Sequence, residues 1–236
     1  MATLILARHG RTTANATGVL AGRSKGVHLD ERGREQAEVA GERLAPLSLA
    51  TVVTSPLERC RETARALVRG RQPTPAVRTD RGLLECDYGD WTGRELKTLV
   101  KEPLWRTVQG HPSAAVFPAG ESMADMSARA VATVRAWDAA VEAEHGPEAI
   151  WVAVSHGDVI KAILADALGS HLDSFQRIVV DPASLSVVRY TPLRPFVVTM
   201  NSSSGDLSHL KPPPKRRRTR KVSSDAVVGG GAGTTP

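Results

Sequence analysis

Four groups of polar residues, far apart in the chain, carry side chains suited to phosphoryl chemistry: Arg8-His9-Gly10, Arg59, Glu85 and His156. Two arginines offer planar, bidentate donors that match phosphate oxygens. A neutral histidine can attack phosphorus, and a carboxylic acid can protonate the alkoxide that departs. A second histidine can donate to a non-bridging oxygen, where charge collects in the transition state. Nearby guanidinium groups disfavour imidazolium at His9, which keeps a lone pair available near neutral pH. Taken alone, Arg-His-Gly is an ordinary turn with glycine present for its backbone freedom. The chemistry has meaning only if the four groups meet.

The elements that would bring them together can be read from the chain. Leu4 to Ala7 is a short apolar run that suits a buried strand, and it ends at Arg8 and His9. Ala50 to Thr54 predicts a second strand. In Ser55-Pro56-Leu57-Glu58 the serine caps a helix, the proline takes its first position and Glu58 completes a capping box. That helix runs to about Arg69 with Gly70 as its stop, so Arg59 lies in the first turn, where the helix dipole favours an anion. Ala76 to Thr79 predicts a third strand, ahead of Leu83-Leu84 and Glu85. Ile150 to Val154 predicts a fourth, ending in Ser155-His156-Gly157-Asp158 before a helix to Leu168. Ser184 to Tyr190 and Phe196 to Met200 read as two closing strands.

The intervening stretches are mostly helical. Asp30 caps a helix from Glu31 to about Ala45, with Ala37, Ala40, Gly41 and Leu44 on one face. Thr92 to Glu95 reads as a second capping box, opening a short helix that ends before Pro103. Leu104 to Gly120 is irregular, an excursion placed to cover a site. Ser122 and Asp125 open the longest helix, whose Met123, Met126, Ala130, Val134, Trp137 and Val141 recur at core spacing until Gly146-Pro147. Strands alternating with helices predict a three-layer α/β/α fold with a mostly parallel central sheet. The carboxyl ends of such strands share one edge, where ligands bind. Arg8, His9, Arg59, Glu85 and His156 are each expected there, at a strand end.

Charge and composition narrow the field. The net charge is +6, but from Asn201 onward there are seven basic and two acidic residues, against 24 and 23 in the first 200. The body is therefore nearly neutral, and nucleic acid is not an expected partner of it. Residues 201–236 are rich in Ser, Pro, Arg and Gly without apolar periodicity, and predict a disordered basic tail behind a domain of residues 1–200. The run Lys215 to Lys221 is read as a solvated tail rather than a polyanion site. No stretch approaches a membrane span, and the N-terminal apolar run is too short for a signal peptide. With only Cys60 and Cys86 present, a disulfide framework is not expected and a cytoplasmic location is favoured. Both cysteines read as small packing residues.

Two competing chemistries fit less well. His9, His156 and Glu85 could ligate a metal, yet close His/Cys spacing is lacking and two arginines would repel a cation. Ser155 and His156 are adjacent, so their side chains diverge on a strand, and no nucleophile elbow surrounds the serine. His28, His111, His145, His171 and His209 show no evident partners in the sequence, with His111 alone falling in the expected cover. Trp91, Trp105 and Phe117 could line a pocket or simply pack.

With these motifs assembled, the chain resembles the histidine phosphatase superfamily, on its phosphoglycerate-mutase-like branch. The resemblance is carried by Arg8-His9-Gly10-x-Thr12-x-x-Asn15, Ser55-Pro56-Leu57-x-Arg59-x-x-x-Thr63-Ala64, Glu85 ahead of Tyr88-Gly89-x-Trp91-x-Gly93, and Ser155-His156-Gly157. It implies His9 as the transiently phosphorylated nucleophile and Glu85 as proton donor. It implies a phosphate pocket of Arg8, Arg59 and His156, supported by Asn15 and by the backbone N–H of Gly157, with no metal or cofactor. Gly120-Glu121-Ser122 is similar to the family's junction between lid and long helix.

The same machinery serves phosphatases and bisphosphoglycerate-dependent mutases. Ala14 stands where those mutases carry Trp, and their paired arginines for a second acidic group have no counterpart between Glu85 and His156. The resemblance therefore implies a phosphomonoester hydrolase acting on a small molecule. A mutase is the alternative, and a catalytically silent phosphate-binding module is a further one. The oligomeric state stays open, a homodimer included.

Overall fold

The computed structural model describes residues 2–205, Leu207 and Lys211. Of the expected disordered tail, Asn201 and Ser202 belong instead to the last strand, while residues 206, 208–210 (His209 among them) and 212–236 lie outside the described residues. From the N-terminus, β1 (Thr3–Arg8) leads through a single-turn helix α1 (Thr13–Thr17) to α2 (Glu31–Leu44), β2 (Leu49–Thr54), α3 (Glu58–Val68) and β3 (Ala76–Thr79). Two short helices, α4 (Leu96–Leu99) and α5 (Pro103–Gly110), precede α6 (Met123–His145), β4 (Ile150–Ser155), α7 (Gly157–Ala167), β5 (Leu185–Arg189) and β6 (Phe196–Ser202).

The six strands form one sheet in the order β3-β2-β4-β1-β5-β6. β1 to β4 run parallel, while β5 is antiparallel to both of its neighbours. Successive strand residues point to opposite faces, and here both faces are covered. Leu4, Leu6, Val53, Trp151 and Ala153 pack with α6 and α7. Ile5, Ala7, Val52, Val152 and Val154 pack with Ala40 and Leu44 of α2 and with Cys60, Ala64 and Leu67 of α3. The result is the expected α/β/α layering, and it explains why the central strands read as unbroken apolar runs. The last strand continues past Met200 to Ser202, and Leu207 is buried against the second face.

Three local expectations are corrected. α3 begins at Glu58 with Leu57 as its N-cap and no side-chain cap, because Ser55 is engaged elsewhere, as described below. α4 is preceded by Glu95, again without a side-chain cap, so Thr92 opens no capping box. The segment after Pro103 is helical rather than irregular: proline sits in the first turn of α5, where its missing N–H costs nothing.

Candidate active site

The register of the sheet places two histidines side by side. Arg8 pairs with Ser155 at the carboxyl ends of β1 and β4, and His9 N–H donates to the carbonyl of Ser155 at 3.0 Å. His9 and His156 are both buried, with ring centroids 5.3 Å apart in an edge arrangement. The chain then turns sharply against α2. A Cβ on Gly10 would collide with the carbonyl of Gly33, and one on Gly33 with that of Arg11. Gly10 N–H is anchored on Thr63 Oγ1 of α3 at 3.1 Å.

His9 Nδ1 lies 2.8 Å from the carbonyl of Gly10. A carbonyl only accepts, so Nδ1 carries the proton and Nε2 keeps the lone pair. Burial first, then the charges of Arg59 and Arg8, hold the His9 pKa well below the usual histidine value. The imidazole is therefore neutral at physiological pH.

Arg59 and Arg8 form the cationic end of the site. Arg59 is only 2 % exposed, and its Nη2 donates to the Gly22 carbonyl at 2.7 Å and to His156 Nδ1 at 3.2 Å. Arg8 Nη1 donates to the Val180 carbonyl at 2.6 Å. Arg59 Nη1 and Arg8 Nε are buried without a partner. Among the described residues no carboxylate forms an ion pair with either arginine. Buried cations of this kind are costly unless an anion joins them.

Glu85 is not at a strand end, contrary to expectation. It lies in the loop after β3, between two short 3-10 turns at Arg81–Leu83 and Gly89–Trp91. A clamp fixes that loop: the Glu85 carbonyl accepts from Arg23 Nε at 2.9 Å and from Arg129 Nη2 at 3.1 Å. Both arginines also reach Glu121, whose Oε1 accepts from Asp87 N–H at 2.8 Å. The Glu85 carboxyl is pushed up to about 7, by burial first and by Asp158 second, against the opposing pull of Arg59 and Arg8. Asp158 accepts a 2.8 Å bond from Tyr88 Oη.

These groups border one cavity of about 530 Å3, lined by Arg8, His9, Asn15, Arg59, Glu85 and Gly157 among others. Trp91, Trp105 and Phe117 also line it, Trp105 coming from α5. Among the described residues, no three His, Cys, Asp or Glu side chains cluster as a metal site.

Comparison with known proteins agrees with this geometry. The profile of the histidine phosphatase superfamily, branch 1, matches residues 4–203. The chain belongs to this superfamily. Phosphoserine phosphatase 1 of Hydrogenobacter thermophilus is 29% identical over 85% of this chain and 92% of its own. A Cronobacter sakazakii protein named Probable phosphoglycerate mutase GpmB is 31% identical over 89% of this chain and 95% of its own. The solved structure of a mycobacterial glucosyl-3-phosphoglycerate phosphatase superposes with a TM-score of 0.75 at 30% identity, covering 85% of this chain and 98% of that one.

Two of the expected site residues are held by neighbouring polar groups. His156 is fully buried, and both ring nitrogens are engaged: Nδ1 accepts from Arg59, and Nε2 lies 2.8 Å from Ser55 Oγ, to which it donates. His156 is thus held between Arg59 and Ser55. Asn15 Oδ1 accepts from the N–H and Oγ1 of Thr12 and closes a capping box on α1; it supports the cavity wall through that turn.

Sequence reasoning missed Ser55, Thr63, Asp158, Tyr88 and the Arg23–Glu121–Arg129 clamp as contributors. Four histidines judged partnerless do have acidic neighbours: His28 contacts Glu62, His111 and His171 lie 3.9 and 3.2 Å from Asp173, and His145 lies 3.6 Å from Glu144. Cys60 and Cys86 are buried free thiols, as the packing reading required.

Proposed function

We propose that the chain is a phosphomonoester hydrolase whose catalytic domain spans residues 1–200 together with the end of β6. His9 Nε2 attacks phosphorus as the bond to the leaving oxygen breaks, and the Glu85 carboxylic acid gives that oxygen its proton. The Glu85 carboxylate then takes a proton from water, whose oxygen attacks the phosphohistidine and releases phosphate with His9 and the Glu85 acid restored. Arg8 and Arg59 hold the non-bridging oxygens. The backbone N–H of Gly157, first residue of the 11-residue helix α7, adds a donor at the positive end of the dipole. His156 acts through Arg59, whose position it fixes.

The observation that supports this reading is a buried and a half-buried arginine, each with a buried, unpartnered N–H, beside a neutral His9. They make an anion grip around a nucleophile. The mutase-named relative favours a second reading, in which the phosphate returns to an acceptor hydroxyl instead of to water. A phosphoester panel with chelator present separates the two: phosphate release without isomerisation of 3-phosphoglycerate supports hydrolysis, and fast isomerisation with its bisphosphate cofactor overturns it. His9→Ala should abolish both acid-labile phosphoenzyme and turnover. Substantial retained turnover would sink the mechanism.

As for partners and place, a small phosphate ester is the proposed substrate. Among the described residues, no helix is long and apolar enough to cross a membrane.

A further inference from the structure

We infer that the ester accepted here carries an uncharged, largely apolar leaving group of aromatic size, and that Trp105 is the surface on which that group rests. This rests on the hydrolase reading and names its substrate class. The phosphate grip occupies one end of the cavity. The rest of its wall includes Leu20, Trp91, Leu96, Trp105, Val108 and Phe117, together with the polar Tyr88, Gln109 and Gln176. Trp91 and Phe117 are buried, whereas Trp105 keeps accessible surface while stacking on Trp91 at 6.1 Å and 24°. A half-covered indole on a cavity wall is a flat apolar platform, and apolar walls with a few convergent polar groups suit apolar ligands.

Charge tells against the competing class, esters with a second acidic group. Among the described residues, three cations line the cavity: Arg8, Arg59 and Lys161. Both arginines belong to the phosphate grip. Lys161 is committed to Asp158 at 3.5 Å and to Gln176 at 3.1 Å, and it sits 5.5 Å from the Phe175 ring centroid. The remaining charges on the wall are the acids Glu85, Asp158 and Asp181. A substrate carboxylate would meet acids and no uncommitted cation, and an unpaired charge is expensive to bury. This also separates the site from one built to hold phosphoglycerate by both ends.

The test compares kcat/KM for 1-naphthyl phosphate and 3-phosphoglycerate, with 4-nitrophenyl phosphate as reference, in the full chain. The naphthyl ester should lead 3-phosphoglycerate by at least about tenfold. Trp105→Ala should lower kcat/KM for the naphthyl ester by about tenfold, chiefly through KM, and leave 3-phosphoglycerate within about twofold. Because Trp105 also packs on Trp91, Leu96→Lys provides a second variant: Leu96 is already 38% exposed. A cation there should raise 3-phosphoglycerate turnover several-fold relative to the naphthyl ester. Equal or reversed preference in the native protein, or a uniform fall for both esters in Trp105→Ala, overturns the inference. If no ester is hydrolysed and no phosphohistidine forms, the hydrolase reading itself fails and takes this inference with it.

Discussion

The sharpest prediction concerns the proton on Glu85. Its carboxyl is pushed up to about 7 from an ordinary 4.5, so about half the molecules hold the proton at pH 7 and about a tenth at pH 8. An ester with a poor leaving group needs that proton in the transition state. Its kcat/KM should therefore fall about tenfold per pH unit above 7, while 4-nitrophenyl phosphate, whose leaving group needs little help, should fall far less. Glu85→Gln should lower kcat/KM for the poor leaving group by roughly 10²–10⁴-fold and flatten the alkaline limb. Stability must move the other way. A carboxyl raised on folding contributes stability that is complete below the unfolded value and is lost as pH rises through the folded value. The shift from 4.5 to about 7 corresponds to at most roughly 3 kcal/mol. Glu85→Gln should thus match the native protein in urea titrations near pH 4.5 and exceed it at pH 8. Two measurements settle it: pH–rate profiles for both leaving groups, corrected for substrate titration, and denaturation at the two pH values. An alkaline limb that survives in Glu85→Gln would refute the assignment, as would a native profile flat from pH 6 to 9 for the poor leaving group.

Other perturbations follow from the packing around the nucleophile. Ser55→Ala leaves the buried His156 Nε2–H without its 2.8 Å acceptor; it should cost about 1–3 kcal/mol and raise the inhibition constant for inorganic phosphate, since Arg59 loses its backing. A melting curve and phosphate inhibition unchanged from native would contradict that role. Gly33→Ala drives a methyl into the Arg11 carbonyl and should destabilise by ~1–3 kcal/mol while lowering kcat as the turn after His9 is displaced, read by calorimetry beside steady-state rates. Burial pushes the Cys60 thiol up to about 12, so iodoacetamide at pH 8 should leave it unmodified in the native protein and label it after unfolding. Mass-spectrometric labelling at the rate of a free thiol would show that the packing around it is not as described.

Much of the fold was open to reading because it depends on local signals. Apolar runs that stop at polar residues mark the strands, and Asp30 and Ser122 cap α2 and α6 as their side chains predict. The strand ends at Arg8 and His156 follow from the same pattern, since both neighbouring strands are buried on two faces. What stayed hidden depends on distant partners. Ser55 before Pro56 has the local signature of a cap, and only the adjacency of β2 and β4 reveals that its hydroxyl serves His156 instead. Glu85 sits on a loop with no periodicity, held by Arg23 and Arg129, which are 62 and 44 positions away. Pro103 reads as a stop in the sequence, although the same ring at the start of a helix is a beginning. In each case the sequence offers two physically sound meanings, and tertiary contact chooses between them.

The chemistry depends on how burial and charge combine at two neighbouring groups. At His9 they act together: burial disfavours imidazolium, and so do Arg59 and Arg8. In the proposed mechanism the nucleophile is kept neutral by burial and by the same cations that would hold its target. At Glu85 they act against each other, because burial favours the neutral acid while both arginines favour the carboxylate. An acid is needed there, so burial must win. The second contributor on its side is Asp158, a like charge that makes ionisation of Glu85 less favourable. Tyr88 gives its hydroxyl to Asp158, and Lys161 lies 3.5 Å away. In the proposed mechanism Asp158 thus acts through Glu85. Its charge adds to burial in holding the proton on Glu85, against the Cys86 N–H, Arg59 and Arg8.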